Sequence, residues 1–304
     1  MFDSPWQNFR LESIGSRRLA VRGRDALRIF AKLGVTAPAN NRLERAIQRL
    51  EAVNDAPETL SAMSDADAQV LLEANRTVFE AFVVAWTLVE RRRPTQPLHI
   101  SNLVAFFEGA DTPSADSNSD ARNIQFELVV GAHLVLGGAH ILPLEPDYSL
   151  RYQGADVGLA VKRLTSTNPN TLATRLREAV GQIEGTKGVG FVAVNLDNWI
   201  TDLGADSLEE VAGQFQRQLL AAHEQVAKIA ARKRTLLGVL IFGTWLRWVR
   251  VDGRRRLEWR EPFQFLGFGE SAGEQERFDE YFIAFRARWV ASMTELGTLL
   301  KAAA

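Results

Sequence analysis

"EPDYSLRYQGADVGLAVKRL", residues 145–164, is the stretch on which the fold turns. An acid follows a proline at Pro146–Asp147, and a short strand and a turn come next. A second strand then ends in Lys162 and Arg163. Two adjacent strands joined by a turn run antiparallel, so the start of the first lies beside the end of the second. Asp147 and Lys162 are therefore expected to bring their functional ends to one edge of a sheet. Two residues before Lys162 stands Ala160, which offers no oxygen or nitrogen beyond its backbone.

The flanks extend this into an alternating pattern. Residues 121–138, "ARNIQFELVVGAHLVLGG", read as a helix that is strongly apolar except for Glu127 and a few polar neighbours. Residues 168–185 read as a helix with Leu172, Leu176, Ala179 and Ile183 on its buried stripe. "GVGFVAVNL" is a short apolar strand, and residues 206–232 form a long helix. "TLLGVLIFGTWLRWV" and "RLEWREPFQFL" are expected to be strands about the turn "DGRR", and residues 273–300 close as a helix. Strands flanked by helices predict an α/β fold, a mixed sheet covered by helices.

Upstream the chain reads as helical. "RDALRIFAKLGV" is a short helix ending near Gly34, and residues 40–54 are amphipathic, with Leu43, Ile47 and Leu50 on one stripe. A long apolar helix follows from Ser64 or Asp65, either of which suits a cap, and Pro94 stops it near Arg93. Residues 108–123, "EGADTPSADSNSDARN", carry almost no apolar content. They place a soft boundary between a helical region, 1–115, and an α/β domain, 116–304.

Bulk properties narrow the function classes. The 304 residues are 46% hydrophobic, enough for a sizeable core, and the formal net charge is −1, so contacts to a polyanion must come from local patches. The absence of cysteine removes disulfides, thiolate nucleophiles and cysteine-based zinc sites. No stretch of eighteen uncharged apolar residues and no secretory leader pattern are present, so a cytoplasmic protein without a membrane span is the expectation. None of the four histidines falls in a zinc spacing, and the glycine-rich segments lack the lysine–serine/threonine ending of a phosphate loop.

A carboxylate and a lysine at one sheet edge suit phosphate chemistry. The carboxylate can hold Mg2+, which prefers oxygen ligands, and a lysine can orient a water or stabilise added negative charge. Glu127 asks for a polar cleft or for solvent, because an isolated buried charge is costly. Arg175, Glu178 and Gln182 share the side of their helix beside its apolar stripe, where they border a cleft over the sheet or form a solvated face.

A helical Glu, an Asp after Pro, a strand pair ending in Lys and a helix carrying Gln resemble the PD-(D/E)xK nucleases over residues 120–245. The resemblance implies the restriction-endonuclease-like fold and hydrolysis of DNA phosphodiesters in restriction, defence or DNA processing. It implies Mg2+ or Mn2+, and roles for Glu127 as the helical acid, Asp147 as the metal-holding acid, Lys162 as the catalytic lysine and Gln182 as the glutamine of the following helix. Ala160 stands where that family has a second acid. Asp156 alternates onto the same strand face but lies about 13 Å away. Glu178, on the next helix, looks like the migrated acid that some restriction enzymes use, which makes Asp147, Glu178 and Glu127 the expected metal set. The other reading is a degenerate nuclease fold that binds nucleic acid or protein without cutting.

The segment 244–261, "TWLRWVRVDGRRRLEWRE", holds six arginines and three tryptophans. Arg250, Arg254, Arg255 and Arg256, with Arg163 beside Lys162, are the expected phosphate contacts. The N-terminal helices are expected surfaces for a second copy of the chain or for a partner protein.

Overall fold

The computed structural model describes residues 9–10, 15–53, 57–90, 98–166, 168–195, 208–230, 235–242, 245–251, 254–261, 263–268 and 272–302. Helix α1 (Ser16–Lys32), α2 (Arg42–Ala52), α3 (Pro57–Ala62) and α4 (Asp65–Glu90) come first, after a two-residue strand β1 (Phe9–Arg10). Asn41 caps α2 by accepting from the Glu44 amide, and the Ser64 hydroxyl accepts from the Asp67 amide at the start of α4. Helix α5 (Asp120–Leu136) leads into strands β2 (Ile141–Leu142), β3 (Tyr148–Tyr152) and β4 (Ala155–Lys162). Helix α6 (Pro169–Thr186), strand β5 (Gly190–Asn195), helix α7 (Leu208–Ala230) and strand β6 (Leu236–Phe242) alternate after that. Strands β7 (Trp245–Val251), β8 (Arg254–Glu261) and β9 (Phe263–Gly267) precede the closing helix α8 (Ala272–Ala302).

Six strands form a mixed open sheet in the order β2-β3-β4-β5-β6-β9. β2, β3 and β4 are an antiparallel meander, β4, β5 and β6 run parallel through the α6 and α7 crossovers, and β9 returns antiparallel. Strand periodicity divides the core in two. Leu159, Val161, Phe191, Ala193, Leu240 and Phe242 face one apolar cluster with α5 and α8. The intervening Ala160, Val192, Val194, Val239 and Ile241 face a second with α6 and α7.

The first cluster does not stop at the sheet. It runs through Leu134 and Val130 of α5 to Phe79 and Val83 of α4, then to Leu43 and Ile47 of α2 and Leu19 and Phe30 of α1, crossing the boundary read from composition. The apolar stripes of the N-terminal helices are buried there. The polar segment between them is held in place: Asp111 pairs with Arg45 and Arg49, and Asp116 with Arg122.

One expectation is corrected. The two long strands expected over residues 235–266 are four, and β7 and β8 leave the main sheet to form a second, three-stranded one in the order β1-β8-β7. Composition explains the split. β6, "LLGVLIF", is apolar throughout and suits a central strand covered on both faces. β7, "WLRWVRV", interleaves arginine and suits a ribbon covered on one face.

Candidate active site

Asp147 immediately precedes β3, and Lys162 is the last residue of β4. The register pairs Tyr148 with Leu159, so both residues stand at the same end of this antiparallel pair. The main-chain N–H of Val161 donates to Asp147 Oδ2 at 2.6 Å, which fixes the carboxylate against the end of β4. Beyond Lys162 the chain is latched again: the side-chain oxygen of Asn195, at the end of β5, accepts from the Leu164 amide.

Glu127 reaches this end from α5. Tyr148, wholly buried, donates its hydroxyl to the main-chain oxygen of Glu127 at 3.2 Å. One turn further on, Gly131 allows the close approach: a Cβ there would lie 2.4 Å from Leu98 Cδ2 and 2.7 Å from Tyr148 Oη. Any side chain at position 131 would push the helix, and Glu127 with it, off β3.

The three groups sense one another. Burial pushes the Glu127 carboxyl up to about 7; the negative charges of Asp147 and Glu145 push the same way, and Lys162 opposes them. Asp147 is also raised, first by burial; the Val161 N–H and Lys162 hold it down, and Glu145 adds to the rise. Both carboxylates and the lysine are half-buried. The arrangement is a partly desolvated, acid-rich corner beside Lys162, which favours both proton exchange near neutrality and a divalent cation. Among the described residues, no group of three or more acidic or histidine side chains stands ready-made around a metal position. Two carboxylates still fit Mg2+, which commonly keeps several waters and takes one or two protein carboxylates plus substrate phosphate.

The remaining expected residues have these surroundings. α6 buries Leu172, Leu176, Ala179 and Ile183 and leaves Arg175, Glu178 and Gln182 exposed. Glu178 Oε2 pairs with Arg175 Nη1 at 2.8 Å, and the two side chains are 47% and 49% exposed. The charges acting on Asp147 come from Lys162 and Glu145 rather than from this helix. Ala160 is fully buried in the apolar cluster beneath α6, a place where a charge would be costly. Asp156 pairs with Arg151 across the strands at 3.2 Å, on the exposed side. Arg163 follows Lys162 and is half-buried. Arg250 stands opposite Arg255, Val251 opposite Arg254 and Val249 opposite Arg256, all in the separate ribbon.

Glu145, Tyr148 and Asn195 were not singled out in the sequence. Glu145 was visible in principle, two residues before Asp147; the other two act through contacts 21 and 31 residues away along the chain. His133 is excluded as a base. It is buried and pushed down to about 4, and it accepts from Trp289 Nε1 at 3.0 Å, so it stays neutral inside the core. No helix among the described residues is long and apolar enough to cross a membrane. Comparison of the chain with protein-family models, with curated proteins and with solved structures gave no match.

Proposed function

We propose that the chain is a metal-dependent nuclease of restriction-endonuclease-like architecture that hydrolyses DNA phosphodiester bonds. The observation that carries this reading is the meeting of Glu127, Asp147 and Lys162, with both carboxylates raised. Glu127 and Asp147 would hold Mg2+ or Mn2+, which, when bound, neutralises phosphate charge and lowers the pKa of water. Asp147 is positioned for this by the Val161 amide, which engages Oδ2. Glu127, raised to about 7 in the metal-free chain, would release its proton as the cation binds and so become a ligand. Lys162 offers a positive charge to the extra negative charge of the pentacovalent transition state. Glu178 remains the candidate third acid, because releasing a half-exposed i,i+3 pair from Arg175 costs about 0.3–0.5 kcal/mol.

A degenerate, non-cutting fold is the second reading. It is favoured by the burial of Ala160 among apolar side chains and by the pairing of Glu178 with Arg175. Supercoiled plasmid incubated with the protein and Mg2+ or Mn2+ separates the two. Nicking or linearisation by the wild type is expected, falling about a hundredfold or more in Lys162→Ala and Asp147→Asn. Plasmid left equally intact by all three proteins, with both metals, would discard the nuclease reading.

A further inference from the structure

The side chains of Arg250, Arg254, Arg255 and Arg256, expected to meet phosphate, lie outside the described residues. Another group of cations is exposed on α1. This helix carries six cations, Arg17, Arg18, Arg22, Arg24, Arg28 and Lys32, against one acid, Asp25. By contrast, α8 holds four cations and five acids, and α4 one cation and five acids. The apolar side of α1 is spent in the core, where Leu19, Ala26 and Phe30 are buried. Arg22 is spent there too: it pairs with Asp25, bonds to the Leu299 carbonyl and lies 5.5 Å from the centre of the Phe82 ring. Arg17, Arg18, Arg28 and Lys32 are exposed, and Arg24 is partly so. At about 100° and 1.5 Å per residue, Arg17, Arg24, Arg28 and Lys32 fall on one strip about 80° wide and about 22 Å long, with Arg18 beside it. Few acids answer this strip. Glu51 holds Arg24 through two bonds, and Arg22 and Arg28 share Asp25. Arg17, Arg18 and Lys32 make no ion pair with a described residue.

We infer that this exposed face of α1 binds the phosphate backbone of duplex DNA, an inference that rests on the DNA-directed reading above. The cations are placed against the stability of the helix. Arg17 and Arg18 stand in its first turn, which holds no acid, and Gly15 supplies no side-chain cap. The partial positive charge at a helix N-terminus disfavours cations there, and like charges along one strip repel one another. A phosphate chain relieves both, in a chain whose formal net charge is −1 and which offers no general surplus of cations. A strip of about 22 Å spans about six phosphates of one DNA strand at their ~3.4 Å axial step. Arginine also suits bidentate phosphate recognition. A lipid surface fits less well, because membrane-surface helices bury a broad apolar face. That face of α1 is already packed inside, and the large apolar side chain the strip presents is Val21, 44% exposed.

Two double variants of equal charge test this. Arg17→Gln/Arg18→Gln changes the α1 face, and Arg277→Gln/Arg288→Gln removes two exposed arginines from α8. Binding of a fluorescent duplex of about 30 base pairs, long enough to cover the strip several times over, is measured by anisotropy in EDTA, so that cleavage plays no part. The α1 double is expected to weaken binding about tenfold and to reduce the log–log salt slope by about two. The α8 double should stay within about twofold of wild type. The urea midpoint of the α1 double should be no lower than that of the wild type, since cations leave a helix N-terminus. A merely structural role for these arginines would lower it. Equal weakening by both doubles, no weakening by the α1 double, or no duplex binding by the wild type at low salt would each overturn the assignment. Competition by polyglutamate or by phosphatidylserine vesicles as effective as by duplex DNA would assign the face to an acidic protein or a lipid surface instead. Loss of binding in the α1 double sustains the assignment even if plasmid is never cut; plasmid cutting with unchanged binding in that variant overturns it alone.

Discussion

Two clusters of buried charge meet on α5, and they differ in balance. Near the start of the helix, Arg122 bonds to Asp116 and to the Ala110 carbonyl and lies 3.6 Å from Glu73. Gln125 links the buried Arg42 to Glu80. Burial and the nearby Arg122 bring the Arg42 guanidinium down to about 10, which still leaves it charged at neutral pH. The adjoining cavity, lined by Arg42, Glu73, Thr77 and Asp111 among others, is about 10 Å3, room for one water and no larger ligand. Here each acid has an arginine or an amide, and the chemistry is spent on holding segments together. Two residues further along α5, Glu127 and Asp147 share a corner with Glu145 and Lys162, and their carboxyls are raised. Buried charge alone does not mark a site; unbalanced buried charge with access to solvent does.

The sharpest way to break the balanced cluster is Arg122→Ala. It removes the arginine beside Asp116, which keeps only the Ala110 amide, and leaves Glu73 to Gln69 and Arg76; about 3 kcal/mol of stability is expected to be lost in urea denaturation. The unbalanced cluster should respond in the opposite sense. Glu127 has its pKa raised from 4.5 to about 7, so the folded chain keeps a proton that the unfolded chain releases. Stability therefore falls as pH rises from about 4.5 to about 7, and the penalty is full above that. Glu127→Gln in EDTA is expected to be more stable than wild type by about 2–3 kcal/mol at pH 8 and little different at pH 4.5. A gain independent of pH would refute the electrostatic cause. Gly131→Ala comes next: the clash with Leu98 and Tyr148 should cost about 1–3 kcal/mol and shift the Glu127 titration seen by NMR. Smallest is Glu178→Ala, about 0.3–0.5 kcal/mol in the absence of metal. If the same change lowers Mg2+ affinity in calorimetry more than tenfold, Glu178 is recruited to the corner; unchanged affinity leaves the site with two acids.

Local periodicity carried much of the architecture. The strand pair about Gln153–Gly154 and the α6 stripe of Leu172, Leu176, Ala179 and Ile183 agree with the structure because each depends on neighbours within a few residues. The approach of Asp147 to Lys162 follows from antiparallel pairing alone. The position of Glu127 was suggested by its apolar helix, but its contact with β3 depends on Gly131 and Tyr148, which no period reveals. Glu178 was ambiguous, since it flanks the buried stripe and has Arg175 one turn away; the local pair is what forms. The Arg42–Gln125–Glu80 link joins residues 83 and 45 positions apart, beyond the reach of any pattern in the sequence.

α5 is tied to its surroundings at three levels. Arg122 and Gln125 anchor its first turns, Gly131 seats against Tyr148 and Leu98, and its far end receives Trp289 on His133 and the Ser292 hydroxyl on the Leu136 carbonyl. Each residue of a helix adds about 100° of rotation. Inserting or deleting one residue between Gln125 and Gly131 would therefore leave the two ends demanding different orientations of the same rod. The helix behaves as a keyed shaft with Glu127 on its middle segment, so the angle at which that acid meets the strand ends is set in large part by contacts at the two ends of the helix.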